Sequence, residues 1–310
     1  MLVYIIRRII WLPFLLFIIS FITFTLGTYG PGDPVVVMLG NKYTEEKAQN
    51  LRESLGLDRP VLVQYFDYMN GALKGDFGES LRHRGRSVSS LLGSKIWVSF
   101  QINISAMIVS LIIGISIGFF IAYKQGSWID PTIVTIFIVT MSIPVMVTIP
   151  YLLRLSCLTL NLIPCSGWGG FWDLRMLLPA FALGIPGSCV FMRLMRSSTL
   201  DVLGQDFIRT AHAKGLSDHT INIRHILKNA LIPIITLISF SLAGILTTSF
   251  IVERILGFPG VGNFLIESIF NRDYPVILAF TLIGSTVFVF ANLLADILYA
   301  FVDPRIRYSL

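Results

Sequence analysis

Apolar residues along this chain gather in long runs almost free of charge, without the two-residue period of a half-buried strand or the 3.6-residue period of an amphipathic helix. Six such runs lie near residues 9–28, 98–123, 132–153, 177–195, 230–252 and 275–296. Crossing a hydrocarbon core of about 30 Å takes about 20 helical residues, so each run can be a membrane span. The pattern predicts an all-α membrane protein of six spans. The fourth run is the least regular, because Pro179, Gly184, Pro186 and Gly187 interrupt it and Arg193 sits at its end. It can be a broken helix lining a cavity, where freed backbone groups find water or neighbours, or a kinked helix used for packing.

The polar segment at 29–97 has helix signals of its own. Thr44 is placed to cap a helix over Glu45–Leu55, with Ala48, Leu51 and Leu55 on one face and Gly56 as terminator. A second amphipathic stretch, Val61–Leu73, puts Val61, Tyr65, Tyr68 and Ala72 at helical spacing. Both helices are expected on the outer bilayer surface or as a cap on the bundle.

Arg7 and Arg8 before the first run give it a superficial likeness to a secretory leader. A leader's apolar part spans about 7 to 15 residues and ends at a small-residue cleavage site. This run is longer and no such site follows, so an uncleaved first span is expected. Basic residues in short loops favour the cytoplasm. Arg7 and Arg8 therefore place the N-terminus there, and six spans return the C-terminus, with Arg305 and Arg307, to the same side. The loop at 197–229 and its flanks hold Arg193, Arg196, Arg209, Lys214, Arg224 and Lys228 against Asp201, Asp206 and Asp218, which is again a cytoplasmic signature. Segment 29–97 is then outside, because long segments translocate largely regardless of charge.

Composition agrees with lipid as the solvent: 54% of the 310 residues are hydrophobic and 14% charged, against about 25% charged in a soluble domain. The net charge of +6 comes from 24 Lys and Arg scattered among 18 Asp and Glu. It forms no basic stripe, and nucleic acid is not an expected partner. Cys189 reads as a small apolar residue inside a span, while Cys157 and Cys165, near a non-cytoplasmic loop, can be bridged or remain free thiols. His212, His219 and His225 lack metal-site spacing and read as surface residues of a loop. Neither a metal nor a cofactor is called for.

A phosphate loop of the G-x-x-x-x-G-K-[ST] form is absent, so ATP hydrolysis is not expected of this chain. The spans hold no Asp, Glu or His at depth, which argues against an ion-coupled secondary carrier or channel and against an intramembrane hydrolase. Energy for uphill transport must then come from a partner. The loop before the fifth run offers it a place. Asp206 to Leu216 read D-F-I-R-T-A-H-A-K-G-L, a short helix former ended by Gly215, and Pro233 falls where the first turn of the next span begins.

These residues resemble the permease subunits of ATP-binding-cassette (ABC) importers of the dipeptide, oligopeptide and nickel class, specifically the B-type subunit. Arg209, Thr210 and Ala211 stand at the E-A-A positions of the family's loop, Gly215 at its glycine, and Leu231, Ile232 and Pro233 at its end. Arginine replaces the superfamily's glutamate, and R-T-A-x-A-K-G is the form of the peptide class. The likeness continues through Pro31, Gly32, Asp33 and Pro34; Leu55, Gly56, Leu57, Asp58 and Pro60; Gln64 and Tyr65; and Gly75, Asp76, Phe77, Gly78 and Ser80. Further on it takes in Glu253, Phe258, Pro259, Gly260, Val261 and Gly262; Arg272, Asp273, Tyr274 and Pro275; and Asn292, Leu293, Asp296, Leu298, Tyr299, Asp303, Pro304 and Arg305. Several of these have plain structural readings: P-G-D-P and Pro259-Gly260 as turns, Gly75 and Gly78 as backbone geometry, Glu253 as a membrane-boundary acid facing Arg254 or a neighbouring chain.

The resemblance implies a type I ABC importer permease with an extracytoplasmic loop domain between its first two spans. The expected organisation is a first span within 1–28, the loop domain at 29–97, a five-helix core at 98–304 and a cytoplasmic tail at 305–310. It implies a multi-pass protein of a bacterial or archaeal inner membrane. Its partners would be the lipid bilayer, a homologous C-type permease, two cytoplasmic ATP-binding subunits and an extracytoplasmic solute-binding protein. Arg209, Thr210, Ala211, Ala213, Lys214, Gly215, Leu216 and Pro233 are the residues expected to couple it to the ATPases. Peptides are the expected cargo, with nickel chelates, glutathione-like molecules and oligosaccharides open as alternatives.

Overall fold

In lipid, each backbone N–H and C=O must find its partner within its own segment, and every helix or strand element among the described residues is a helix. The computed structural model describes residues 2–29, 34–39, 43–83, 85–245 and 249–302. Pro31, Gly32 and Asp33, the C-terminal Asp303, Pro304 and Arg305, and the tail at 305–310 lie outside them. Among the described residues, four helices are long and apolar enough to cross a membrane, and two bent helix pairs raise the number to as many as six spans. The chain divides into two compact units, residues 2–99 with 259–290, and residues 100–258 with the segment from Ala291 onward.

The first unit holds α1 (Leu2–Tyr29), α2 (Pro34–Leu39), α3 (Glu45–Leu55), α4 (Val61–Leu73), the start of α5 (Val88–Ala122), α14 (Val261–Phe270) and the start of α15 (Tyr274–Val302). The α3 caps form as the sequence predicts: Thr44 accepts from the Lys47 N–H at 3.4 Å, and Gly56 takes φ +65°. Buried Gln64 then ties down the turn by donating to the Leu57 and Arg59 carbonyls at 3.1 and 2.7 Å. Its neighbour Tyr65, 2% exposed, enters a ring of Phe17, Phe21 and Phe24 on α1, and its hydroxyl meets Ser20 Oγ at 2.6 Å. So α4 packs one face onto the first span. Burial raises the phenol of Tyr68 above its ordinary value, which keeps it protonated.

Elsewhere in this unit, Val88, Leu91 and Leu92 close a core with Val261, Phe264, Val276 and Ala279. Helix α5 therefore starts well before the apolar run does, because its first turns bury their apolar face against protein. Gly75 and Gly78 each take φ +80°, the left-handed conformation that glycine reaches without a Cβ clash. The intervening Asp76 accepts the Gly78 N–H at 2.9 Å. This turn delivers Ser80 to Asp273, whose buried carboxylate accepts from Ser80 Oγ at 2.5 Å and from the Leu81 and Arg82 N–H groups at 3.0 and 3.4 Å.

The second unit holds the rest of α5, then α6 (Ile129–Ser142), α7 (Val145–Leu153) and a π-helical turn (Arg154–Thr159). Next come α8 (Leu177–Leu203), α9 (Asp206–Ala213), α10 (Asp218–Thr220), a π-helical stretch (Ile221–Leu227), α11 (Lys228–Ala230), α12 (Ile232–Ala243) and α13 (Phe250–Leu256). Of the two readings open for the fourth span, a broken helix and a helix used for packing, the structure takes the second: α8 runs through Pro186 as one 27-residue helix. Its glycines serve close approach, since a Cβ at Gly184 would fall 2.7 Å from Val109 Cβ, and one at Gly114 of α5 would fall 2.7 Å from Phe191 Cβ. The Ser110 hydroxyl donates to the Gly184 carbonyl at 2.8 Å across that contact. The break falls in the third span instead, where the chain bends by 95° between α6 and α7. Pro144 starts α7 without an N–H and disfavours helical geometry at Ile143, which is extended at ψ 120°.

Glu253, in α13, is completely buried and accepts from Ser249 Oγ at 2.6 Å, which in turn accepts from Asn103 Nδ2 at 3.1 Å. Cys157 and Cys165, left open between thiols and a bridge, are joined as a disulfide, and Cys189 is a buried free thiol.

Asp130 and Arg196 clamp α6 to α8. The guanidinium donates through Nε and Nη2 to the two carboxylate oxygens at 2.7 and 2.6 Å. The Asp130 side chain is 8% exposed and that of Arg196 28%. Removing one partner strands the other, so Arg196→Met is expected to cost about 3 kcal/mol. Adding Asp130→Asn to it is expected to restore more than half of the loss. Thermal unfolding of the detergent-solubilised protein measures both, and a double variant no more stable than Arg196→Met alone would show that the pair is not the cause.

Candidate functional site

The loop between α8 and α12 begins with Gln205 in extended backbone, from which α9 starts with Asp206 in its first turn, where an acid suits the helix dipole. The helix stops at Lys214 because Gly215 takes φ +74°. That conformation lets the Gly215 N–H reach the His212 carbonyl at 2.9 Å and the Leu216 N–H reach the Ala211 carbonyl at 3.3 Å.

With 3.6 residues per turn, α9 has two faces. Ile208 and Ala211 point inward, 4% and 5% exposed, and pack with Ile221 and Ile226 against Phe119, Val202 and Leu203. Those last three lie in the final turns of α5 and α8, so this short helix rests directly on the ends of two long ones. The outer face shows Asp206, Arg209, Thr210 and Ala213, all exposed. Phe207 and Leu216 flank it as apolar side chains 44% and 39% exposed. Arg209 and Asp206 stand 3.5 Å apart in full solvent, where such a pair contributes little.

Further contacts fix the loop to the core. Ser217 caps α10 by accepting the Thr220 N–H at 3.4 Å, and His212 Nδ1 lies 3.8 Å from Asp218. Tyr123, just past α5, donates to Asn222 Oδ1 at 2.8 Å. Burial, with the charge of Asp218, raises its phenol above the ordinary value, so it stays a donor at neutral pH. Pro233 occupies the first turn of α12, where a missing N–H costs nothing.

The eight sequence candidates thus separate. Arg209, Thr210, Ala213, Lys214, Gly215 and Leu216 are exposed together, Ala211 is turned inward as a packing residue, and Pro233 lies at the head of the next helix. Phe207 was missed, although projecting residues 206–213 onto a helix puts it outside the buried stripe. The π-helical winding of 221–227 has no sequence signal. Nothing in this arrangement offers a nucleophile with its base, and among the described residues no three His, Cys, Asp or Glu converge as for a metal. What it can do is mechanical, because a load on the outer face of α9 passes straight to α5 and α8. Between α5, α8 and α12 the same unit holds a cavity of about 430 Å³, lined by Asn103, Ser110, Phe191, Leu237, Phe240 and Ser241 among others.

The family model of the binding-protein-dependent transport system inner membrane component matches residues 114–308, the stretch that contains this loop, and the N-terminal model of the same family matches residues 1–94. The chain belongs to this family. It is a multi-pass permease subunit of an ABC importer. Among its relatives, the dipeptide transport system permease protein DppB of Bacillus subtilis is 34% identical over 98% of this chain and 97% of its own length. The glutathione transport system permease protein GsiC of Escherichia coli is 34% identical with 100% of both chains covered. A solved structure of inward-facing MetNI, a methionine ABC transporter, superposes with a TM-score of 0.53 at 14% identity, covering 69% of this chain and 96% of that one. At that identity the likeness speaks for the permease fold alone.

Proposed function

We propose that this chain is half of the membrane passage of a peptide importer and that the outer face of α9 receives a cytoplasmic ATPase subunit. The observation behind the reading is the two-faced seating of α9: Ile208 and Ala211 locked onto the ends of α5 and α8, with Arg209, Thr210, Ala213, Phe207 and Leu216 left outside. Exposed apolar side chains beside cations suit a soluble partner's groove. Nucleotide-driven closure of two ATPase subunits would press on α9 and bias the core between inward-facing and outward-facing states. ATP hydrolysis belongs to those subunits, since this chain has no phosphate loop. A homologous C-type permease completes the passage, and an extracytoplasmic binding protein loads it.

The orientation has independent support. Disulfides persist outside the cytoplasm, and the Cys157–Cys165 bridge precedes α8 while α9 follows it. One crossing by α8 then puts α9 in the cytoplasm, in agreement with the basic residues of its loop. Relatives named for dipeptides and glutathione favour a short peptide as cargo. The cavity between α5, α8 and α12 is the part of the passage that this chain supplies.

Replacing Phe207 and Leu216 together by serine tests the docking face. Neither side chain is in the packed core, so folding is expected to change by no more than about 0.5 kcal/mol. Co-purification of the ATPases and peptide uptake by the reconstituted complex are both expected to fall about tenfold or more. Undiminished association would remove the docking role from this face.

A further inference from the structure

Helix α6 has 14 residues. At about 1.5 Å per residue it rises about 21 Å, leaving about 9 Å of a roughly 30 Å hydrocarbon core uncrossed. The chain then turns by 95°, so α7 and its π-helical turn run across the direction of α6 instead of onward. A segment at that depth, if it faces lipid, meets acyl chains and the glycerol boundary.

The side chains suit that place. Tyr151, Leu155, Leu158, Leu162 and Trp172 are 70%, 52%, 67%, 64% and 93% exposed, continuous with Val147 on α7 at 45%. Between residues 145 and 175 the only charges are Arg154, Asp173 and Arg175, and the last two pair at 3.2 Å. A contiguous apolar surface of this kind is rare in water. Tyrosine, tryptophan and a long cation at its edge are the residues that settle at a membrane boundary.

The segment is also held rigid. The Cys157–Cys165 disulfide closes it, Arg175 Nη1 donates to the Ser166 carbonyl at 3.3 Å, and the Gly167 N–H donates to the Leu256 carbonyl at 3.4 Å. Trp168 packs edge-on against Phe258 at 5.2 Å. A slack loop could fold its leucines inward; this one keeps them out.

We infer that residues 145–174 form an anchor lying in the membrane plane, which inserts Leu158, Leu162 and Trp172 into the acyl–glycerol boundary of one leaflet, and that the Cys157–Cys165 bridge is its staple. The surface continues the exposed apolar side chains Ile136, Val139 and Met141 of α6, half of a candidate membrane span, so the bilayer is the occupant this anchor takes.

Fluorescence quenching in the assembled transporter tests this, in nanodiscs of phosphatidylcholine and phosphatidylglycerol with the phosphatidylcholine brominated either near the glycerol or near the chain ends. The difference between wild type and Trp172→Phe isolates one indole. Shallow bromines are expected to remove roughly half of that signal and deep bromines markedly less. If Trp172→Phe fails to assemble, Leu162→Trp gives the same readout. Cys157→Ser with Cys165→Ser is expected to narrow the gap between shallow and deep quenching, and an unchanged gap would remove the staple from the inference. Quenching of Trp172 by aqueous acrylamide but by neither lipid would overturn the anchor. Shielding from both lipids that depends on adding the binding protein would overturn it too, in favour of a protein interface.

Discussion

Ala211→Glu is expected to abolish uptake by destroying the seat of α9, whereas Ala213→Glu, two residues away, leaves that seat intact. Ala211 is packed among Ile208, Ile221 and Ile226 under Phe119, with 5% of its surface exposed. A glutamate there must bury an unpaired carboxylate or push α9 off the ends of α5 and α8, a local cost of about 3 kcal/mol or more. Ala213 is on the outer face, where the same substitution should change stability by less than about 0.5 kcal/mol. The two variants separate a folding defect from a docking defect. Trypsin cleavage at Arg209 and Lys214 should quicken about tenfold or more in Ala211→Glu and stay as in the parent protein in Ala213→Glu. ATPase association should be lost in both. Normal cleavage together with normal uptake in Ala211→Glu would mean that α9 is not seated on the long helices as described.

This division of labour inside a seven-residue motif could not be read from the motif. The letters R-T-A-H-A-K-G give a helix and its glycine stop, both of which form, and the apolar runs give the spans because lipid leaves the backbone few alternatives. The caps at Thr44 and Gly56 were legible for the same reason: they are local, and the short-range physics that sets them is contained in a few adjacent residues. Which alanine faces the core depends on where α5 and α8 end, and that is tertiary information. The same gap explains why the fourth span stayed open between two readings and why the bend in the third went unread. Pro179, Gly184, Pro186 and Gly187 look like a break when read along one helix, but Val109 and Ser110 of another helix need the space the two glycines leave. The real break at Ile143 and Pro144 lies in a run with two prolines, of which Pro150 sits inside α7 without ending it, a weaker signal than four interruptions. The contact of Glu253 with Ser249 and, through it, Asn103 was not legible, because no spacing rule connects residue 103 to residue 249.

Asp273→Ala should be the most damaging single change in the first unit. Two signatures of the sequence, Gly75 to Ser80 and Arg272 to Pro275, are separate in the chain and each reads alone as a turn. Together they make one contact. Gly75 and Gly78 bend the backbone so that Ser80 and the next two N–H groups converge on one carboxylate. From the other side, Arg272 takes φ +55° and the Asp273 N–H closes on the Ser268 carbonyl at 2.8 Å, which aims the acid at the head of α15. Asp273 is 1% exposed and Ser80 3%. Truncation would leave one hydroxyl and two amide donors without their acceptor, a loss of roughly 3 to 5 kcal/mol. Asp273→Asn keeps one carbonyl acceptor but turns an NH₂ toward a donor, and should cost about 2 kcal/mol. Ser80→Ala removes a single hydroxyl and should cost about 1 kcal/mol. Thermal unfolding should rank the three variants in that order, with uptake falling in parallel as residues 79–83 come loose from α15. Equal stability of Asp273→Ala and Ser80→Ala would show that the two backbone donors find water as readily as they find the carboxylate, and the contact would then be one hydrogen bond instead of a clamp.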